Sequence, residues 1–194
     1  MLSAGEIARG TQGALKFLQR DPTAPFHFDN TFEACLRSFR VMALVAPIYG
    51  VYLLLFYSGV QAEADEAEIF LVEVLRYVVD WLLFPVIFYE IARHRGWLER
   101  YPRYIGALNW TNLPAVIVLV VGMMVATVTP QPIPALVELG LRALYFYWFL
   151  MVTRLALGVG WLLSVLLLIV NWLPSLLLSL VVTRLLGLAP MPGG

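Results

Sequence analysis

Charge is what this sequence has least of. Only 13% of its 194 residues are Asp, Glu, Lys or Arg, about half the share of an ordinary soluble domain, while 61% are hydrophobic and the mean hydropathy is +0.81. That balance excludes a water-soluble fold and predicts an integral membrane protein. A single cysteine, Cys35, excludes an intramolecular disulfide and the paired thiolates of a zinc or iron–sulfur site. The single lysine, Lys16, lies near the N-terminus, which excludes a Schiff-base chromophore inside a helical bundle. Both histidines, His27 and His94, fall outside the predicted spans and supply no imidazole to an intramembrane haem.

Other signatures of chemistry are missing too. Thirteen basic residues balance thirteen acidic ones, so no overall field attracts nucleic acid. The serines have no histidine partner at depth. Gly158-Val159-Gly160 lacks the strand, the third glycine and the acidic residue of a dinucleotide fingerprint, and no phosphate-binding loop is present. The expectation is a non-enzymatic protein with no catalytic residues, no cofactor and no metal. The start, Met1-Leu2-Ser3-Ala4-Gly5-Glu6, lacks the basic cap and apolar core of a cleavable signal peptide.

What is present is a series of apolar runs. Residues 3–20 read as an amphipathic helix with Ile7, Thr11, Leu15 and Leu18 on one face, weakened by Gly10 and Gly13. A turn at Asp21–Pro25 follows. Asn30-Thr31-Phe32-Glu33 then has capping-box spacing and opens a short interfacial helix over 31–40, which Arg37 and Arg40 anchor at the headgroups. Spans are predicted at 41–60, 69–91, 109–128 and 135–153, each close to the ~20 residues that cross a hydrocarbon core. The final run, 155–183, overshoots a bilayer. It reads as one tilted span kinked at Pro174, or alternatively as a hairpin of two half-helices. The predicted fold is therefore all-α: a polytopic membrane bundle of about five transmembrane helices. Residues 1–40 form a cytoplasmic amphipathic and interfacial region, 41–187 the membrane domain and 188–194 a short tail.

Basic residues sort by side. Five precede the first span, and Arg93, Arg95, Arg100 and Arg103 fill the loop after the second, whereas the first and third loops have none. The positive-inside rule places the N-terminus and this Arg-rich loop in the cytoplasm.

Charges inside the spans form the one constellation of interest. Glu73, Arg76 and Asp80 share a face of the second span, and Glu138 and Arg142 share a face of the fourth. Because a charge at mid-membrane costs about 2.5–3.5 kcal/mol on insertion scales, the two groups are expected to pair across the helices. The expected pairs are Arg76 with Glu138 and Arg142 with Glu73, leaving Asp80 as the odd carboxylate. Such a cluster is either a lock on helix register or a proton- or ion-responsive site around Asp80. Small residues at Gly122/Ala126, Gly160/Ser164 and Ser175/Ser179 offer close helix packing or an oligomer contact. The dipeptides Asn109-Trp110 and Asn171-Trp172 each precede a proline and can satisfy carbonyls freed by it.

Phe28-Asp29, Leu36-Arg37-Ser38-Phe39-Arg40, Ala46-Pro47-Ile48-Tyr49 and Tyr104-Ile105-Gly106-Ala107-Leu108-Asn109-Trp110, with five spans and a cytoplasmic N-terminus, make the chain resemble uncharacterised Yip-like bacterial inner-membrane proteins of alphaproteobacteria. The eukaryotic branch of that family is associated with Rab-type GTPases; its Asp-Leu-Tyr-Gly-Pro signature is missing here. Two functions are carried forward. One is a scaffold that organises the bacterial inner membrane or a larger complex, with the lipid bilayer, other membrane subunits or further copies of itself as partners. The other is a small ion- or proton-coupled carrier built on the intramembrane charges.

Overall fold

A computed structural model describes residues 2–190 as an all-α bundle. Five long helices run up and down: α3 (Val41–Tyr57), α4 (Glu66–Arg95), α5 (Tyr101–Thr127), α6 (Ile133–Leu157) and α7 (Trp161–Leu185). Two shorter ones, α1 (Ala4–Leu18) and α2 (Phe32–Ser38), precede them. Among the described residues, four helical segments are long and apolar enough to cross a bilayer: Phe32–Tyr57, α5, α6 and α7. The other long helix, α4, runs among them and misses that standard because of its charges. Its outer face is nonetheless apolar, with Phe70, Leu71, Val74, Leu75, Val78 and Leu82 all exposed.

The helix boundaries follow local chemistry. Gly96, in the left-handed region at φ 70°, caps α4, and Pro102 sits in the first turn of α5, where its missing N–H costs no bond. The predicted basic loop 92–104 thus shrinks to Gly96–Arg100, and α5 starts eight residues before the predicted 109. Gly158, again left-handed, ends α6. From Trp161 the last apolar run is one helix, continuous through Pro174, so the hairpin alternative falls away, while residues 155–157 belong to the end of α6. Its end is fixed beside the α3–α4 connection: Val60–Gln61 (β1) pairs antiparallel with Ala189–Pro190 (β2), and the Glu63 N–H donates to the Leu186 carbonyl at 3.0 Å. The expected tail 188–194 is described only to Pro190.

The N-terminal elements form a collar. Ser3 and Glu6 make a reciprocal capping box at the start of α1. The buried face of α1 is Gly10, Gly13, Ala14 and Phe17, not the predicted stripe through Ile7, Thr11, Leu15 and Leu18. The two glycines are contact points: a methyl group on Gly10 would meet the Trp110 ring of α5, and one on Gly13 would meet Phe28. The Trp148 indole N–H of α6 donates to the Ala14 carbonyl at 2.8 Å. At α2 the N-cap is Thr31, one residue later than expected, accepting from the Ala34 N–H. Asn30 is instead spent on the α4–α5 connection, donating to the Glu99 carbonyl and accepting from the Arg103 N–H. The first half of α5 is consequently almost wholly buried, with Tyr104, Ile105 and Ala107 at zero exposure.

Candidate functional site

The inward stripe of α4 is Glu73, Tyr77, Trp81, Phe84 and Phe88, at successive steps of four, four, three and four residues. Glu73 is 2% exposed and is surrounded by hydrogen-bond donors. Tyr57 Oη donates to it at 2.8 Å, Tyr49 Oη at 3.3 Å and Arg76 Nη1 at 3.4 Å. Arg76 Nε lies 3.9 Å from Asp80 Oδ2, an ion pair too long for a hydrogen bond. Arg76 Nε and Asp80 Oδ1 are buried atoms with no hydrogen-bond partner among the described residues. Tyr77 Oη donates to the Met42 carbonyl at 2.6 Å, which sets the register of α4 against α3.

The expected cross-helix pairs do not form. Arg76 pairs along its own helix with Glu73 and Asp80, and Arg142 pairs along α6 with Glu138 at 2.7 Å. The spacings of three and four residues that put these charges on one face also bring them within reach of each other, and α3 supplies tyrosines to Glu73 in place of Arg142. A cavity separates the two clusters instead.

That cavity has a volume of about 1030 Å³ and takes wall from all five long helices. Asp80 from α4, Glu138 and Arg142 from α6, Asn112 from α5, and Asn171 and Ser175 from α7 give it polar points. Ser175 lies beside Asp80, and Tyr145 lies beside Asn171. Aromatic rings make up much of the remainder. Tyr49, Tyr52, Tyr77 and Trp81 form one wall, with Tyr49 stacked on Tyr77 at 5.0 Å and on Tyr52 at 5.4 Å. Tyr145, Phe146 and Trp172 line it from α6 and α7, with Trp172 edge-on to Phe146.

The chamber is asymmetric along the bundle. At the collar end Phe84, Ile105, Trp148 and Phe149 are all buried and close it. Toward the α5–α6 connection it reaches Gln131 and Pro134, and none of residues 133–147 of α6 is buried. There α5 and α6 touch through Gly122, where a Cβ would overlap Leu141, so this small residue serves packing within the bundle. Two residues at the closed end face both ways. Trp148 lines the chamber and bonds to α1; Asn109 lines it and donates to Ser38 Oγ of α2 at 2.9 Å.

The arginines predicted as headgroup anchors divide into two groups. Arg37 bonds to Glu6 and Glu33, Arg100 donates to the Leu157 carbonyl at the end of α6, and Arg103 donates to the Phe28 carbonyl. These three fasten the collar and the helix ends. Arg40, Arg93 and Arg95 remain exposed, with Arg93 near Glu90 and Arg95 over the Trp97 ring. Sequence reasoning missed Tyr49, Tyr52 and Tyr57. Their signal was legible: hydroxyl-bearing rings at helical spacing inside an otherwise apolar span.

No group of three or more His, Cys, Asp and Glu side chains among the described residues is placed to hold a metal ion. Fold and site together define a helical membrane bundle around an aromatic-walled chamber with a carboxylate at its side. No family model, curated protein or solved structure matches the chain, so the use of the chamber has to be read from its own residues.

Proposed function

We propose that the protein is a non-enzymatic, small proton- or ion-coupled carrier of the bacterial inner membrane, with its collar in the cytoplasm. The observation that carries this reading is the chamber itself: about 1030 Å³, walled by five helices, closed at one end, with Asp80 Oδ1 unpartnered beside it. A register lock would set its charges against each other across a tight interface; here Asp80 lines the chamber with its side chain 32% exposed. Pro47, Pro85, Pro114 and Pro174 each remove one backbone hydrogen bond from a chamber-lining helix, so four of the five walls have a point of easy flexure. The test is flux in liposomes containing the full chain: proton or ion movement above protein-free vesicles, lost in Asp80→Asn, supports the carrier. Wild-type flux in that variant overturns Asp80 as its coupling group.

The scaffold reading keeps one observation in its favour. Phe26, Phe32 and Leu36 are exposed on the collar, Arg103 lies over the Phe26 ring and Arg40 is exposed as well, a surface suited to lipid headgroups or a second membrane subunit. It loses the face of α1, which is occupied by α5 and α6. A stoichiometric partner retained through gentle solubilisation would favour it.

A further inference from the structure

We infer that the chamber is a binding site for a lipophilic organic cation, with Asp80 as its counter-ion; this rests on the carrier reading and names the class of solute. Three features of the chamber point the same way. The first is formal charge. Asp80, Glu138 and Arg142 line the chamber, and Arg142 is neutralised by Glu138 at 2.7 Å. Behind Asp80, one guanidinium, Arg76, is shared between Glu73 at 3.4 Å and Asp80 at 3.9 Å. Three carboxylates thus face two guanidiniums and one negative charge is left over, while Asp80 Oδ1 has no hydrogen-bond partner among the described residues. A monovalent cation completes that balance; an anion would add a second unmatched negative charge in a medium of low dielectric.

The second feature is the wall. Tyr49, Tyr52, Tyr77 and Trp81 present ring faces and edges from α3 and α4, while Tyr145 and Trp172 do so from α6 and α7. Rings on two sides of a carboxylate attract a cation through their quadrupoles and also accommodate apolar substituents, which suits a quaternary or aromatic onium better than a hydrated metal ion. A metal ion is commonly held by several converging ligands, and among the described residues no group of three or more His, Cys, Asp and Glu side chains is placed to hold one. The third feature is size. At about 1030 Å³ the chamber is at the upper end of small-molecule sites, too large for an inorganic ion and ample for a molecule with several rings.

The experiment uses the full chain in nanodiscs, with tetraphenylphosphonium as cation and tetraphenylborate as an anion of matching shape, read by tryptophan fluorescence and calorimetry against empty nanodiscs. The expected result is saturable binding of the cation, at least tenfold weaker binding of the borate, and a loss of at least tenfold in Asp80→Asn with recovery in Asp80→Glu. Should Asp80→Asn fold poorly, Trp172→Leu, which leaves every charge in place, is expected to weaken the cation severalfold. Equal binding of cation and borate overturns the inference and makes the chamber a lipid or neutral-solute site; undiminished cation binding in both Asp80→Asn and Trp172→Leu overturns it as well. Cation binding without flux in liposomes leaves this site standing and removes the carrier reading. Proton or ion flux without cation binding does the reverse.

Discussion

Replacing Gly10 by alanine separates two accounts of the N-terminal helix by sign. Considered as an isolated helix, α1 gains about 1 kcal/mol from the exchange, because glycine is the poorer helix former. In the folded chain, an added Cβ would overlap three carbons of the Trp110 ring, the most distant of them, Cε2, at 2.6 Å. Ordinary carbon contacts lie near ~3.5 Å or beyond, so roughly 1 Å of space must be opened. Trp110 cannot yield cheaply. It is 8% exposed, and the adjacent Asn109 is tied to Ser38. Overpacking of this kind costs about 1–3 kcal/mol, and taking the upper figure for a rigid ring leaves a net loss of about 2 kcal/mol after the helix gain. That corresponds to roughly 30-fold easier opening of α1. Hydrogen exchange of the α1 amides in the detergent-solubilised chain reads this directly, and Trp110→Leu in the same chain is expected to restore most of the protection by making room. Slower exchange in Gly10→Ala than in wild type would refute the close approach of α1 to α5.

Tyr57→Phe removes the shortest donor to Glu73 and leaves a 2%-exposed carboxylate short of a partner, so unfolding in a detergent titration is expected to become easier by about 1–3 kcal/mol. Arg142→Gln removes the partner of Glu138 at the chamber wall and leaves a second unmatched carboxylate there, so cation binding is expected to tighten in the nanodisc calorimetric assay. The Ser3 backbone N–H, the Arg37 guanidinium and the Ser3 hydroxyl hold the Glu6 carboxyl down at about 2, against an ordinary value near 4.5. Since the folded value is the lower one, the collar's added stability is complete above about 4.5 and is lost as pH falls from there through about 2. Thermal melts between pH 6 and 3 are expected to show this decline in wild type and to lack its Glu6 component in Glu6→Gln.

Much of the architecture was legible because a bilayer imposes its own length scale: twenty apolar residues with a turn at each end announce a span whatever the rest of the fold does. The charges on α4 lie within reach of one another, as their spacing implies, since spacing along one helix fixes direction around it. What spacing does not carry is the identity of the neighbouring helix. Arg142 was matched to Glu73 by depth alone, and depth is shared by every helix in the bundle, including α3, whose Tyr49 and Tyr57 take that role. Gly10 and Gly13 were misjudged for a related reason. Local propensity counts the cost of a missing Cβ, whereas only the packed structure shows that a ring occupies its place. The capping box at Ser3 and Glu6, by contrast, was readable and overlooked.

The closed end of the chamber and the docking of the collar depend on the same side chains, so the two are one equilibrium. Trp148 is 1% exposed, lines the chamber, and donates its only side-chain N–H to the Ala14 carbonyl of α1. Trp148→Phe keeps an aromatic plug and deletes the tether. A lost neutral hydrogen bond is worth about 0.5–1.5 kcal/mol, which corresponds to about a two- to tenfold rise in the open population at this end. Ile105, fully buried and also lining the chamber, reports on it: in an Ile105→Cys chain with Cys35 replaced by alanine, a water-soluble maleimide is expected to label the Trp148→Phe protein faster by that factor. If labelling is unchanged while exchange of the α1 amides accelerates, collar and closure are separate events and the indole tether holds only the former.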